Sequence, residues 1–440
     1  MTLLTAKTSP NPAFEQDIRA FAASQQRDAS APNRHTELVR ALQDLWAEHG
    51  NITQRTLDDW RSENPDNNFI PYALDFYAPL AEPEFTNERH LIEVEISNSV
   101  VQELASRSLA QPVFAVLEHP NLTNDYSVRD NQTERYTPLW LRSHEEVIDL
   151  RNLVALQAIR TRLQVDAEEY RAASETLLET SLIPQYLSRQ ASMVEHLTAF
   201  ACCSVILDEI EAIAIAEDLD AEVLAVLSQT LDQTRDLGDF SVALEAQYIE
   251  LKDSLFALHS ASGRMIPSSA NYLHDERAYS LHPPTRHEPT IAERFFDIRG
   301  FMMASRDEHI EFARQAIDLI LPAAETEDAQ ARKKILKDFD VFASKHKGRL
   351  RLTSDALRIG TPESVNAYWQ IQSDFTRTEA ILAMAAYRFD HGDWPERLDQ
   401  LIPEYLDTIP INPLTGDPFE YARAPGEAPS LESFGIEEQN

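Results

Sequence analysis

Residues 193–214 read MVEHLTAFACCSVILDEIEAIA, and this apolar stretch decides the fold class of the chain. Apolar residues recur in it at spacings that are typical of an α-helix: Val194, Leu197, Phe200, Leu207, Ile210 and Ala214. The adjacent Cys202 and Cys203 lie in the middle of this helix. A free cysteine behaves as a small hydrophobic residue, so we expect two buried, inert thiols.

The helical periodicity continues on both sides of this stretch, from Glu145 to His259. It predicts five successive helices, with Pro184 separating the second from the third and Gly238 stopping the fourth. Their connections are short, so neighbouring helices are expected to pack antiparallel. The predicted fold is mainly α, with stacked antiparallel helical hairpins in a solenoid-like arrangement or a bundle, and a small α+β element with a short β-hairpin at the C-terminus.

The chain has 440 residues, which is typical of two or three domains. We predict a mobile N-terminal segment, a mixed but mostly helical region, a helical-hairpin domain with a long loop at 260–290, and a C-terminal helix followed by a compact element. These regions are, in chain order, residues 1–35, 36–142, 143–350 and 351–440.

Several segments outside the central helices carry local predictions. A helix is predicted over 36–50, and a final helix over about Glu363–Arg388. LIEVEI at 91–96 alternates apolar and acidic residues, so it is either a strand or the start of a helix. Residues 326–350 form a charged helix or linker that carries the one basic island of the chain. This island is either a solvated face that pairs with the chain's own acids or a docking patch.

Composition excludes several classes of function. The 73 acidic residues against 39 basic ones give a formal net charge of −34, which repels nucleic acids and anionic membranes. No nucleic-acid partner is predicted, nor is insertion into a membrane, since no apolar run approaches the length of a membrane span. The acidity gives solubility or, alternatively, a surface for cations or a basic partner.

Motifs that carry catalysis are missing from the sequence. It has no GxGxxG or GxxxxGK[ST] loop for a cofactor phosphate and no GxSxG elbow for a serine nucleophile. No catalytic residue and no cofactor is therefore predicted. The best metal-ligand candidates are His274, His282 and His287 in the 260–290 loop, because imidazoles are zinc ligands. Their spacing matches no fixed metal motif, so a solvated polar loop is the competing interpretation.

The C-terminal stretch from Ala385 to Arg423 predicts a small folded element. A helix ends near Gly392, a short helix follows, and a turn at 415–417 leads into a strand at Phe419–Tyr421. Five aromatic residues are predicted to form its core: Tyr387, Trp394, Tyr405, Phe419 and Tyr421.

This element resembles the globular part of the major pseudopilins of type II secretion. The resemblance is carried by Tyr387-Arg-x-Asp-x-Gly-x-x-Pro, Leu398-x-x-Leu and Asn412-Pro-x-x-Gly-x-Pro-Phe-x-Tyr. The family's hydrophobic N-terminal helix has no counterpart here, and its calcium-binding loop is matched only by Ser433-Phe-Gly-Ile-Glu-Glu. The resemblance implies a degenerate relative of these subunits, not a filament-forming one.

A wider resemblance covers roughly residues 145–434. Helical hairpins followed by a pseudopilin-like tail are similar to a group of bacterial proteins found mainly in planctomycetes. Members of that group usually begin with a membrane anchor, which implies an extracytoplasmic place in the cell envelope. The group implies no activity.

Three functional hypotheses follow from these features. The first is a non-enzymatic interaction or structural protein with a protein partner, because stacked helical hairpins present extended binding surfaces. The second is an enzyme with a metal-assisted site at the 260–290 loop. The third is a degenerate subunit related to the pseudopilins.

Overall fold

The computed structural model confirms a mainly α fold with a small two-stranded sheet near the C-terminus. It describes residues 16–18, 20, 23–26, 28, 30–63, 88–123, 145–216, 219–259, 304–346, 349–423 and 428–432. The helices of these ranges are α1 His35–Glu63, α2 Glu88–Ser106, α3 Gln111–Leu117, α4 Glu145–Asp166, α5 Tyr170–Thr180, α6 Leu182–Ser188, α7 Met193–Ala214, α8 Ala221–Arg235, α9 Phe240–Leu258, α10 Arg306–Glu325, α11 Ala329–Lys345 and α12 Arg351–His391.

Helix α7 lies at the centre of the molecule. It packs against α4, α5, α6, α8, α9 and α12, and it is apolar around most of its circumference. A helix that is hydrophobic on every side is expected to be buried, because no face of it suits water. The Ser192 side chain and Glu195 form a capping box that fixes where this helix begins. Val194, predicted on the apolar face, is instead 51% exposed, although its neighbours Met193 and Glu195 are buried.

The predicted hairpins are confirmed by the pairs of consecutive helices that pack together. Helix α4 packs on α5, α6 on α7, α9 on α10 and α10 on α11. Asp220, Asp239 and Asp328 cap the starts of α8, α9 and α11 by accepting backbone N–H bonds. Local capping therefore places the helix ends, and the shared apolar core joins the hairpins.

Two helix boundaries lie at other residues than those predicted. Pro184 does not separate two helices, because it lies in the first turn of the short α6. Proline is tolerated there, since the first N–H groups of a helix have no intrahelical acceptor. Gly238 does not stop the fourth helix, because α8 already ends at Arg235 with Asp236 as its C-cap.

Two other helices begin or end elsewhere than predicted. Helix α1 continues through Gly50 to Glu63, well beyond the predicted end at residue 50. Helix α12 begins at Arg351, because it runs through Pro362 without a break. Burial of Thr361 and Val365 on either side of the proline shows that packing overrides this helix breaker. The LIEVEI segment lies in α2, so its interpretation as a strand is wrong.

The first described residues pack against the helical body. Ile18 is fully buried with Ala191, Ala246 and Ile249. The Gln26 side chain donates to the Arg189 carbonyl at 3.2 Å, and its oxygen accepts from the Leu122 backbone N–H at 3.0 Å. Residues 1–15 of the segment that was predicted to be mobile lie outside the described residues.

The C-terminal element has the predicted helix, short helix and hairpin. Gly392 ends α12 in the left-handed conformation with φ of 81°. A 3-10 helix follows at Leu398–Leu401, and then the antiparallel strands β1 (Glu420–Ala422) and β2 (Ser430–Glu432). Tyr421 pairs with Leu431 in this hairpin, and β1 begins one residue later than predicted.

Candidate functional site

An acidic cleft lies where the turn between α4 and α5 approaches the start of α8. Its cavity has a volume of about 420 Å³. Four carboxylate side chains and a single guanidinium, that of Arg171, line it: Glu168, Glu169, Glu175 and Asp220. Tyr170 and the buried Val223 form the apolar part of the wall.

The backbone at the end of α4 brings two of these acids to the cleft. Glu168 has φ of 60°, which is rare for a residue with a side chain and turns the chain sharply between the two helices. Backbone hydrogen bonds from Glu168 N–H to Val165 O at 2.9 Å and from Glu169 N–H to Gln164 O at 2.8 Å close this turn. Glu169 then occupies the N-cap position of α5, where a negative charge is favoured by the helix dipole.

Ion pairs across the cleft fix its second wall. Arg171 donates to Glu175 at 3.1 Å within α5 and to Glu222 at 2.8 Å on α8. Asp220 caps α8 by accepting the Val223 backbone N–H at 2.8 Å. The guanidinium is thus already paired with carboxylates, and the remaining negative charge of the cleft faces solvent.

The histidines predicted as metal ligands, His274, His282 and His287, lie outside the described residues. Within the described ranges, no group of three or more histidine, cysteine, aspartate or glutamate side chains is placed to hold a metal ion. The Glu437 and Glu438 of the weak calcium-loop match also lie outside these ranges.

The two cysteines are buried free thiols, as predicted. Burial raises the pKa of the Cys202 thiol to about 12, and it raises the pKa of Cys203 as well. The thiolate is the nucleophilic form, so neither residue is poised for nucleophilic chemistry at neutral pH.

A second group of charges joins α4, α7 and α12. Arg377 on α12 donates to Glu211 at 3.0 Å, and Arg162 on α4 donates to Glu209 at 2.7 Å. Burial raises the pKa of Glu209, and it raises the pKa of Asp374, which faces Arg377 at 3.7 Å. Perturbed carboxylates often mark active sites, but ion-pair networks perturb them too. Glu209 and Glu211 each face a guanidinium across a helix–helix contact, and Asp374 faces one within α12, so the group is an ion network that joins the three helices.

The five aromatic residues of the tail lie near one another. Tyr387 and Tyr405 meet edge to face with their ring centroids 5.7 Å apart, and Arg388 lies over the Trp394 ring at 4.4 Å. Trp394 and Phe419 are buried, and the Tyr421 hydroxyl donates to the Pro395 carbonyl. These contacts hold the element together.

A residue of the basic island connects the tail to the body, and sequence reasoning did not single it out. The Arg332 guanidinium on α11 lies over the Trp369 ring at 4.0 Å. It donates to the carbonyls of Thr326 at 3.1 Å, Leu414 at 3.2 Å and Pro413. Its neighbours Lys333 and Lys334 are exposed. Arg332 therefore attaches the tail to the helical body, and Lys333 and Lys334 lie on a solvent-exposed face of α11.

No family model, curated protein or solved structure matches this chain. None of the described helices combines the length and the apolar character that crossing a bilayer requires.

Proposed function

We propose that this chain is a non-enzymatic protein-binding protein whose acidic cleft takes up a lysine- or arginine-rich segment of a protein partner. The observation that carries this proposal is the convergence of Glu168, Glu169, Glu175 and Asp220 on one cavity. Only one basic side chain, Arg171, shares that cavity, and it is already paired.

The chemistry of the cleft favours a basic polypeptide over a small apolar ligand. Small-molecule sites are mostly lined by apolar and aromatic side chains with a few polar groups. The walls of this cleft are largely carboxylates, at the surface of a chain with a net charge of −34. The negative electrostatic potential attracts a cationic partner to the surface and raises its association rate, most of all at low salt.

The cell envelope is the location that the tail supports. The resemblance to pseudopilins, together with the helix, short helix and hairpin at its residues, motivates this part of the proposal. Fractionation of cells that produce the natural protein tests it, and recovery of the protein solely with the cytoplasmic fraction contradicts it.

Reversing charge in the cleft should weaken binding of an oligolysine peptide. We expect the Glu169→Lys/Glu175→Lys double variant to lose about tenfold in affinity, because each exposed pair contributes up to about 1 kcal/mol and each reversal adds repulsion. Fluorescence anisotropy with a labelled peptide at low and at physiological ionic strength measures this loss. The difference should shrink as salt is added.

A matched control separates the cleft from the overall charge. The Glu363→Lys/Glu404→Lys variant makes the same change in net charge at exposed positions on α12 and in the tail. It should bind the peptide nearly as well as the unmodified protein. Equal losses in both double variants would show that the peptide responds only to net charge, and the cleft would then not be the binding site.

A further inference from the structure

Two buried histidines meet where α9 ends and α10 begins. His259 is the C-cap of α9 and 2% exposed, and His309 lies near the start of α10 and is fully buried. Their ring centroids are 5.6 Å apart, with the ring planes tilted by 59°. The pair lies at helix ends and not in the middle of the core.

Each ring is held through one nitrogen. The Nδ1 of His259 lies 2.7 Å from the Leu255 carbonyl oxygen, and the Nδ1 of His309 lies 2.7 Å from the Thr353 hydroxyl at the start of α12. The Nε2 of each ring is buried with no hydrogen-bond partner among the described residues. Among the described residues, an added proton on Nε2 of His309 therefore finds no acceptor.

Further contacts tie the same three helix ends together. Arg306 lies over the Phe256 ring at 4.1 Å, which joins α10 to α9. Arg349, just before α12, donates to Glu308 at 3.3 Å, and its carbonyl accepts the Ala304 N–H at 3.0 Å. The end of α9 and the starts of α10 and α12 thus form one junction with the two imidazoles inside it.

We propose that His259 and His309 form an acid-sensitive latch. The latch keeps the end of α9 and the starts of α10 and α12 together while both rings are neutral. Protonation of the pair opens this junction, because a buried imidazolium at His309 carries an Nε2–H that has no acceptor among the described residues and lies beside the second imidazole.

The charges around the pair support a neutral closed state. Burial is the main cause that lowers the pKa of both histidines, to about 4 for His309. His259 and Arg349 also lower the pKa of His309, and Arg306 lowers that of His259. The Glu308 carboxylate acts in the opposite direction on the pKa of His309, and burial outweighs it. The hydrogen bond to Leu255, the Ala304 backbone and the Asp307 carboxylate raise the pKa of His259, and burial outweighs them as well. The N-terminal dipole of α10 adds to the cost of a cation at His309, whereas the C-terminal end of α9 favours one at His259.

The sign of the pH dependence follows from these values. In the open junction a histidine has an ordinary pKa of about 6.5. The closed state is fully favoured above that pH and is lost as the pH falls toward 4, the pKa of His309 in the closed state. At pH 5 the opening equilibrium should be displaced by about 30-fold relative to neutral pH through His309 alone.

The position of the latch distinguishes it from the other buried histidines. His196 also has a pKa lowered to about 4, but it packs in the centre of the molecule, with its ring centroid 6.0 Å from that of Phe240. Exposing His196 to water requires unfolding of the core. Exposing His259 and His309 requires only that terminal helical turns separate, and such local openings need far less free energy than global unfolding.

Hydrogen exchange of the full chain tests the proposal. The Ala304 and His309 amides donate to the Arg349 and Ser305 carbonyls at 3.0 and 3.1 Å. Their protection factors should fall by about 30-fold between about pH 7.5 and about pH 5. In the His309→Asn variant, whose side-chain amide can replace Nδ1 but cannot take up a proton, the His309 part of this fall should disappear. The amides of α7 in the same sample report global unfolding.

Each outcome decides for or against the latch. A junction that loses protection at higher pH than α7, with a weaker pH dependence in His309→Asn or His259→Asn, supports it. Equal protection factors for the junction and α7 at every pH would show that the junction opens only when the whole protein unfolds, which overturns it. If neither variant folds, the comparison of junction and α7 in the unmodified protein decides alone.

Discussion

Replacing Arg332 with alanine should detach the C-terminal element from the helical body and cost about 3 kcal/mol of stability. The guanidinium donates to three backbone carbonyls, two of which belong to the tail. An intramolecular hydrogen bond contributes a net of about 0.5–1.5 kcal/mol to stability, so the loss of three accounts for a cost of about 3 kcal/mol. Contact with the Trp369 ring, at 4.0 Å from the guanidinium carbon, adds a cation–π attraction.

Hydrogen exchange and tryptophan fluorescence report the release of the tail separately from global unfolding. Amides of β1 and β2 should lose hydrogen-exchange protection in Arg332→Ala before the helices around α7 do. Trp369 should change its fluorescence, because its ring loses the guanidinium while its indole N–H still donates to the Ala323 carbonyl at 2.8 Å. An unchanged exchange rate in the hairpin would show that the tail is held by its apolar contacts alone.

Two variants separate geometry from charge. Arg332→Lys keeps the positive charge but lacks the planar fork of donors, so it should recover only part of the stability. Lys334→Ala removes an exposed charge from the same helix and should change stability by less than about 0.5 kcal/mol. If Lys334→Ala lost as much stability as Arg332→Ala, the loss would come from removing a positive charge from α11 and not from the contacts of Arg332 with the tail.

The parts of the fold that were predictable are those that a short window of sequence determines. The spacing of apolar residues in 193–214 determines the central helix, and Ser192 with Glu195 marks its start. In the tail, Gly392 and the turn before β1 follow from residues with special backbone preferences. Each of these features arises from interactions within a few residues of chain.

The features that were missed depend on contacts between distant parts of the chain. Arg332 meets carbonyls more than eighty residues away, and a run of basic residues gives no sign of which member is buried. Pro362 reads as a helix breaker, but packing on both sides of it keeps α12 continuous. The acids of the cleft come from the turn between α4 and α5, from α5 itself and from the start of α8, and among 73 acidic residues no sequence pattern distinguishes them.

Gly238→Ala should destabilise the protein by about 3 kcal/mol, although the substitution adds a single methyl group. A Cβ at residue 238 would lie well inside the van der Waals contact distance from the Ser188 carbonyl oxygen and 2.9 Å from the carbonyl carbon. These are backbone atoms at the end of α6, so they cannot rotate away as a flexible side chain would. Forcing extra volume into a packed interior typically costs about 1–3 kcal/mol, and a backbone clash belongs at the upper end of that range.

The same clash should disturb the neighbouring bonds between α6 and the segment after α8. The Gly238 N–H donates to the Ser188 hydroxyl at 3.0 Å, and Arg189 donates to Asp236 at 2.6 Å. Moving the two segments apart lengthens both bonds. Chemical denaturation followed by circular dichroism measures the loss of stability, and exchange of the Gly238 region measures its local part.

Gly50→Ala is the matched control, because the identical substitution should there have the opposite sign. Gly50 lies inside α1, and a Cβ at that position meets nothing within 4 Å. Alanine in a helix interior is favoured over glycine by about 0.5–1 kcal/mol, since glycine loses more backbone freedom on folding. If both variants lost stability, the cost at residue 238 would not be specific to the clash. If neither did, α6 and the segment after α8 would not lie in direct backbone contact.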